Sequence, residues 1–299
     1  MFYSIIKTIV RITVWVYFRK IHVRNAELIP QDVPLIIVPN HPSSYMDIMV
    51  VVPYIKKHLH FIMRGESFNT SFKRWLLGNL NLIPIYRKGQ TPGLVHKNRE
   101  VFEKCYQVLA KKGAIIIFPE GLSKTERRLR EIKTGAARIA LGAEAAARQA
   151  PLPSEGGAAG VVVVPVGLNY SDPHRFQSEL FINFAQPIDV SRFFELYQEN
   201  EHKGIVALTG HIKECLEQHT IDIENKELDK LVENIEIIYK SKLLKELGLS
   251  EKEQEFMLTK EIVEAVHYFQ RRKPLHLQAI QQKIQCYMND MERLNLKDR

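Results

Sequence analysis

The chain has 299 residues, is 45% hydrophobic and 25% charged, and carries a formal net charge of +8. That composition supports a sizeable globular core and argues against a disordered or low-complexity protein. Cys105, Cys215 and Cys286 lie far apart with no Cys-x-x-Cys spacing, which argues against a disulfide framework or a zinc site and fits a reducing compartment.

The charge is unevenly spread. Residues 1–199 carry 26 Lys/Arg against 16 Asp/Glu, residues 200–299 carry 16 against 18, and residues 56–133 alone carry 17 against 6. Such a basic stretch points to a polyanionic partner: anionic lipid headgroups, phosphorylated metabolites and coenzymes, or nucleic acid. No arginine-rich array or RNA-binding aromatic signature accompanies it, so nucleic acid is not the expected partner.

In chain order, residues 2–18, "FYSIIKTIVRITVWVYF", are apolar but interrupted by Lys7 and Arg11. A spanning helix needs about 20 mostly apolar residues, and no small-residue cleavage site follows, so neither a span nor a signal peptide is expected. Ser4, Lys7, Thr8 and Arg11 share one helical face, with Ile5, Ile6, Ile9, Ile12 and Val16 largely elsewhere. The expectation is an interfacial helix on an anionic membrane surface, with Arg19, Lys20 and Arg24 as headgroup contacts. The alternative is a helix packed on the protein's own core.

"PLIIVPN" (34–40), "HLHFIMR" (58–64), "NLIPIYR" (81–87), "AIIIFPEG" (114–121), "VVVVPVGLNY" (161–170) and "ELFINFAQPI" (179–188) read as strands. "FKRWLLGNL", "KNREVFEKCYQVLAKKG" (97–113) and "KTGAARIALGAEAAARQA" (133–150) read as helices between them, and "PLPSEGGAAG" (151–160) as a loop. This alternation predicts an α/β domain with a mostly parallel central sheet flanked by helices. Beyond residue 200 the chain reads as a helical extension.

Polar or turn residues are offered at the ends of four of these strands: His41 and Asp47, Arg87 and Lys88, Glu120 and Gly121, and Pro165. Open α/β sheets bind ligands at the carboxyl ends of their strands. A single His/Asp pair is weak evidence, and each Pro or Gly alone is an ordinary turn residue. Four such groups in this order are not explained by turns.

The order resembles the glycerolipid acyltransferase family, which contains the glycerol-phosphate and lysophosphatidate acyltransferases. The matching blocks are Asn40-His41…Asp47, Ile83-Pro84-Ile85-Tyr86-Arg87, Phe118-Pro119-Glu120-Gly121 and Val163-Val164-Pro165-Val166. They cover roughly residues 20–190, and "FAQPI" (184–188) resembles a sequence that commonly follows. The resemblance implies acyl transfer from an acyl-CoA or acyl-carrier-protein thioester to a hydroxyl of a phosphorylated glycerol or lysolipid acceptor. The expected acceptor is 1-acylglycerol 3-phosphate, giving phosphatidate; glycerol 3-phosphate or dihydroxyacetone phosphate is the alternative, and a non-catalytic anionic-membrane-binding protein a third reading. The resemblance also implies His41 as general base, Asp47 as its orienting partner, and Arg87, Lys88, Glu120 and Gly121 at the acceptor site. Arg87 suits a phosphate, and Glu120 a glycerol hydroxyl or Arg87 itself. No cofactor or metal ion is needed, the thioester being a substrate. The basic stretch from Lys124 to Lys133 is a candidate for the coenzyme's phosphates, with a solvated helix face as the alternative.

Two departures from the family pattern stand out. Five residues rather than four separate His41 from Asp47, which on a continuous helix would turn the carboxylate to another face; a turn must therefore follow His41. Both this interval and the Phe-Pro-Glu-Gly-Leu-Ser sequence, with residues 133–143, look closer to the branch containing fungal glycerol-phosphate and dihydroxyacetone-phosphate acyltransferases. The expected organisation is a membrane-associating helix over 1–24, an acyltransferase domain over 25–199 and a helical extension over 200–299. The expected location is the cytoplasmic side of a membrane.

Overall fold

The computed structural model describes residues 2–64, 81–85, 98–149, 160–248 and 252–296. Two compact units emerge, one of residues 1–125 with 130–220, the other of residues 126–129 with 221–299.

The first unit is built on a mixed, mostly parallel sheet, as the alternation predicts. Among the described residues its strands are β1 (Lys20–Arg24), β2 (Leu35–Pro39), β3 (Leu59–Arg64), β4 (Leu82–Ile85), β5 (Ala114–Ile116), β6 (Val162–Tyr170), β7 (Glu179–Phe184) and β8 (Ile188–Asp189). Their order is β1-β7-β6-β2-β5-β3-β4, with β8 beside β6. The pairings of β6 with β7 and β8 are antiparallel; the others are parallel. β2 lies at the centre, Leu35 opposite Ala114 on one side and Val162 on the other. All five of its residues are buried, because helices cover both faces of the sheet.

Those helices are α1 (Phe2–Tyr17), α2 (Tyr45–Val51), α3 (Asn98–Ala110), α4 (Gly135–Gln149), α5 (Phe194–Glu199) and α6 (Glu201–His219). Leu35 and Ile37 of β2 join a core containing Val14 and Phe18 from the α1 end and Val50 and Val51 from α2. Side chains alternate along a strand, so Ile36 is buried on the opposite face. The small side chains Ala136, Ala137 and Ala140 of α4 are likewise buried.

Several expectations shift. Residues 20–24 form β1, paired with β7 from Lys20↔Glu179 to Arg24↔Asn183, so Lys20 and Arg24 belong to an edge strand of the sheet. Helix α1 is part of the same unit, since Val14 and Phe18 are each only 2% exposed. The second boundary falls at 220 rather than 199, because α5 and α6 bury Phe194, Ile205, Leu208 and Ile212. The expected strand over 179–188 is split at Ala185–Pro187 into β7 and β8, proline being unable to donate to a ladder. The short helix expected at "FKRWLLGNL" and most of the 151–160 loop lie outside the described residues.

The second unit contains α7 (Lys226–Glu246), α8 (Lys252–Arg272) and α9 (Pro274–Arg293). Leu228, Leu231, Val232, Leu258, Val263 and Ile284 are among its core residues. Arg127 is bound within it: Nε donates to Asp229 Oδ1 at 2.6 Å and a terminal nitrogen to Glu236 Oε2 at 3.0 Å. The Arg127 carbonyl accepts from the Ile223 amide at 2.6 Å. Arg127→Ala would leave two carboxylates without this partner. The side chains are 17–34% exposed, so partial screening limits the expected loss to about 1–2 kcal/mol. Urea unfolding of the variant should show it, with a larger loss than in Arg127→Lys.

Candidate active site

The chain leaves β2 at Asn40, whose side chain takes over the work of a ladder. Its Nδ2 donates to the Leu168 carbonyl at 3.1 Å, and its Oδ1 accepts from the Leu168 amide at 2.7 Å. This ties the turn to β6 and sets the direction of the next residue, His41. The His41 amide donates to Glu120 Oε1 at 2.7 Å. The ring stacks on Phe118, with centroids 4.0 Å apart and 20° between planes.

The five-residue interval is accommodated by a turn. Pro42, Ser43 and Ser44 precede α2, and Ser44 has φ 53° and ψ −118°, a conformation uncommon outside glycine. Helix α2 begins only at Tyr45, so Asp47 sits in its first turn, fully buried. His41 Nδ1 lies 2.8 Å from Asp47 Oδ2. The structure therefore brings together the pair whose spacing is unusual.

Two further donors surround that carboxylate. The Ser43 amide donates to Oδ2 at 2.7 Å, and the Tyr170 hydroxyl to Oδ1 at 2.8 Å. Burial pushes the Asp47 carboxyl above its ordinary value, and hydrogen bonds from His41, Ser43 and Tyr170 oppose that rise. With Asp47 ionised, Nδ1 is the donor and Nε2 keeps its lone pair. Nε2 has no hydrogen-bond partner among the described residues.

Tyr170 was not among the residues singled out in the sequence. It closes β6, is 7% exposed, and packs beside Phe18 with ring centroids 5.9 Å apart. The available signal was a hydroxyl-bearing residue at the carboxyl end of an apolar strand, the same position as the other polar groups. Tyr170→Phe keeps the ring and removes one donor from a buried carboxylate. Turnover should fall about three- to tenfold, the range expected when part of a charge-assisted bond is lost. Asp47 would hold a proton more readily, so the acid limb of the pH–rate profile, which belongs to the His41–Asp47 pair, should move to higher pH.

Glu120 has backbone partners on both oxygens. It is 6% exposed, and its second oxygen accepts from the Arg130 amide at 3.2 Å. Burial pushes this carboxyl up, opposed by the His41 and Arg130 amides. Both oxygens thus engage backbone amides, and Glu120 ties the two loops together. Gly121 adopts φ 70°, which glycine alone accepts without strain, and its amide closes a turn onto the Phe118 carbonyl at 3.1 Å. Arg87 and Lys88 lie outside the described residues; Ile85, which ends β4, lines the same cavity as His41.

That cavity has a volume of about 290 Å³. Its walls are apolar, with Ile48, Ile62, Met63, Ile85, Ile117 and Phe118, while His41, Ser44, Ser123 and Lys133 supply polar groups. The stretch from Lys124 to Lys133 forms no helix, which corrects the solvated-helix reading. Its members do different things: the Lys124 amide binds the His41 carbonyl at 3.3 Å, Arg127 is paired within the second unit, and Lys133 lines the cavity. An oriented imidazole beside an apolar cavity can accept a proton from a hydroxyl and bind an apolar chain in one place.

A family model described as Acyltransferase matches residues 20–169, half of the chain. The chain belongs to the acyltransferase family. Among relatives of this acyltransferase-family chain, glycerol-3-phosphate O-acyltransferase 2 of Saccharomyces cerevisiae is 33% identical over 40% of the chain and 15% of its own length. A second yeast relative, glycerol-3-phosphate O-acyltransferase 1, is 27% identical over 50% of the chain and 19% of its own length; the chain thus spans under a fifth of either. The 1-acyl-sn-glycerol-3-phosphate acyltransferase of Streptococcus pneumoniae is 24% identical over 76% of the chain and 75% of its own length. The crystal structure of the 1-acyl-sn-glycerophosphate acyltransferase PlsC from Thermotoga maritima superposes with a TM-score of 0.51 at 19% identity, covering 72% of this chain and 77% of that one. This likeness is one of fold.

Proposed function

We propose that this acyltransferase-family protein transfers a fatty acyl group from an acyl-CoA or acyl-carrier-protein thioester to a hydroxyl of a phosphorylated glycerol acceptor. The observation that carries the reading is His41: Nδ1 is tied to a buried carboxylate, and Nε2, without a partner among the described residues, lies beside an apolar cavity. As the acceptor oxygen attacks the thioester carbonyl carbon, Nε2 takes its proton. The tetrahedral intermediate collapses with cleavage of the C–S bond, and the leaving thiolate receives the proton back. Asp47 holds the ring and stabilises its charged form; no covalent enzyme intermediate is required. The acyl chain lies against the Ile62, Met63 and Phe118 wall, and Arg87 and Lys88 provide cations for the acceptor phosphate, Arg87 by a bidentate fork. Lys133 adds a third cation on the cavity rim.

The preferred acceptor is 1-acylglycerol 3-phosphate, and the similarity to the pneumococcal protein over three quarters of both chains supports it. Glycerol 3-phosphate is the second reading, supported by the higher identity to the yeast relative over a shorter stretch. Palmitoyl-CoA offered with both acceptors at equal concentration, with products resolved by mass spectrometry, decides between them. Predominant phosphatidate supports the first reading, and predominant lysophosphatidate replaces it with the second.

Membrane association on the cytoplasmic side is part of the proposal. Among the described residues no helix is long and apolar enough to cross a membrane. Helix α1 instead exposes Ile5, Ile9, Ile12 and Trp15, with Trp15 at 75%, which suits a helix lying in an interface. Lys7 is turned inward to the Ile55 carbonyl, not outward with Arg11 as its spacing suggests, and burial lowers its pKa.

A further inference from the structure

We propose that the cleft between α1 and β1 is a docking site for the phosphate-bearing headgroup of an anionic bilayer phospholipid, separate from the His41 cavity. The proposal deepens the membrane-association reading and rests on it. The cleft has a volume of about 420 Å³, and its lining includes Arg11, Trp15, Arg19, Lys20, His22 and Tyr54. It shares no lining residue with the cavity at His41, and no Asp or Glu lines it. Arg19 is bound to Glu179 on the neighbouring strand, which holds one guanidinium at the cleft. Arg11 and Lys20 are exposed and have no acidic partner among the described residues. Arg11 is close enough to Tyr54 that its charge acts on the phenol against the effect of burial. The structure thus places two exposed cations, without an acidic partner among the described residues, and one oriented cation around a concave surface.

The same helix supplies the apolar half of a lipid site. Ile5, Ile9, Ile12 and Val16 are 47–57% exposed, while Val14 on the opposite side is 2% exposed and in the core. Packing of the unit uses only the inner face. An apolar outer face that borders a basic cleft, with an interfacial tryptophan between them, complements a lipid whose chains lie along the helix and whose phosphate enters the cleft. A free phosphate accounts for the cations but leaves the apolar face unexplained.

The test is vesicle flotation of the full chain on phosphatidylglycerol/phosphatidylcholine vesicles and on phosphatidylcholine alone. Three variants accompany it: Arg11→Gln/Lys20→Gln at the cleft, Lys104→Gln/Lys111→Gln as an equal charge loss elsewhere, and Ile9→Ser/Ile12→Ser on the apolar face. A cation near an anionic surface contributes about fivefold in binding. The cleft variant should therefore bind anionic vesicles roughly twentyfold more weakly, with the Lys104/Lys111 variant much less affected and turnover of a soluble short-chain acceptor unchanged. Equal weakening by both charge variants would overturn the site in favour of general attraction. Loss only in Ile9→Ser/Ile12→Ser overturns the site and leaves membrane association standing, whereas a wild-type chain that floats with neither vesicle overturns both. Competition by millimolar inorganic phosphate with no preference for anionic vesicles overturns the lipid assignment in favour of a free anion.

Discussion

Alanine at His41 is expected to reduce acyl transfer by about 10²–10⁴-fold, the usual cost of losing a general base, while the protein still folds. The imidazole is held from two directions: its Nδ1 meets Asp47 at 2.8 Å and its face stacks on Phe118. Neither contact is needed to place the backbone, because the His41 amide to Glu120 and the Asn40 bonds to Leu168 remain in the variant. The loss should therefore fall on turnover. Circular dichroism and the thermal transition would show a folded protein, and the apparent affinity for thioester should change little. His41→Gln, which restores a polar side chain without a base, should not recover activity.

Asp47→Asn is expected to be the second most damaging change, lowering turnover by about 10²-fold through loss of charge next to the forming imidazolium. The surroundings dictate how the amide settles. Oδ2 accepts from both the Ser43 amide and His41 Nδ1, so the asparagine oxygen must take that place, since an NH₂ group there would face the Ser43 N–H. The ring keeps its tautomer, and the effect of charge is isolated. The NH₂ group then meets the Tyr170 hydroxyl, which becomes the acceptor.

Stability should move the other way. Burial raises the Asp47 pKa in the folded protein, so the folded state binds the Asp47 proton more tightly than the unfolded chain. The ionised group therefore costs stability above that raised pKa, and the cost fades as pH falls through it. Asp47→Asn should accordingly melt at a higher temperature than wild type at neutral pH, with the gap narrowing on acidification. A variant both less active and more stable is what a group retained for chemistry produces. Melting curves across pH would check this directly.

The parts of this site that were legible in the sequence are those that follow apolar strands. Runs such as "PLIIVPN" and "AIIIFPEG" have no other use than burial, so the sequence alone puts His41 and Glu120 at strand ends. The Asp47 position was legible as a requirement for a turn, which Ser44 meets with its positive φ. Strand β1 was not legible, because "KIHVR" is short and charged at both ends, like a headgroup anchor; its partner Glu179–Phe184 lies far along the chain. Tyr170 was missed for a related reason, its hydrogen bond to Asp47 spanning 123 positions. The backbone partners of Glu120 were not legible, because the His41 amide lies 79 positions away and the Arg130 amide is reached across a loop. Arg127 looked like its basic neighbours, and only the packing of α7 separates it from them.

The central claim is that His41 drives acyl transfer from a thioester to a hydroxyl, and the measurement closest to it is thiol release coupled to ester formation. Purified wild-type and His41→Ala proteins would be given palmitoyl-CoA with and without 1-acylglycerol 3-phosphate, with free thiol followed by absorbance and ester by mass spectrometry. The expected result is acceptor-dependent thiol release by wild type, one thiol per ester formed, and release at least 10²-fold slower in the folded variant. Equal release by the two proteins, or none from wild type with either that acceptor or glycerol 3-phosphate, would contradict it.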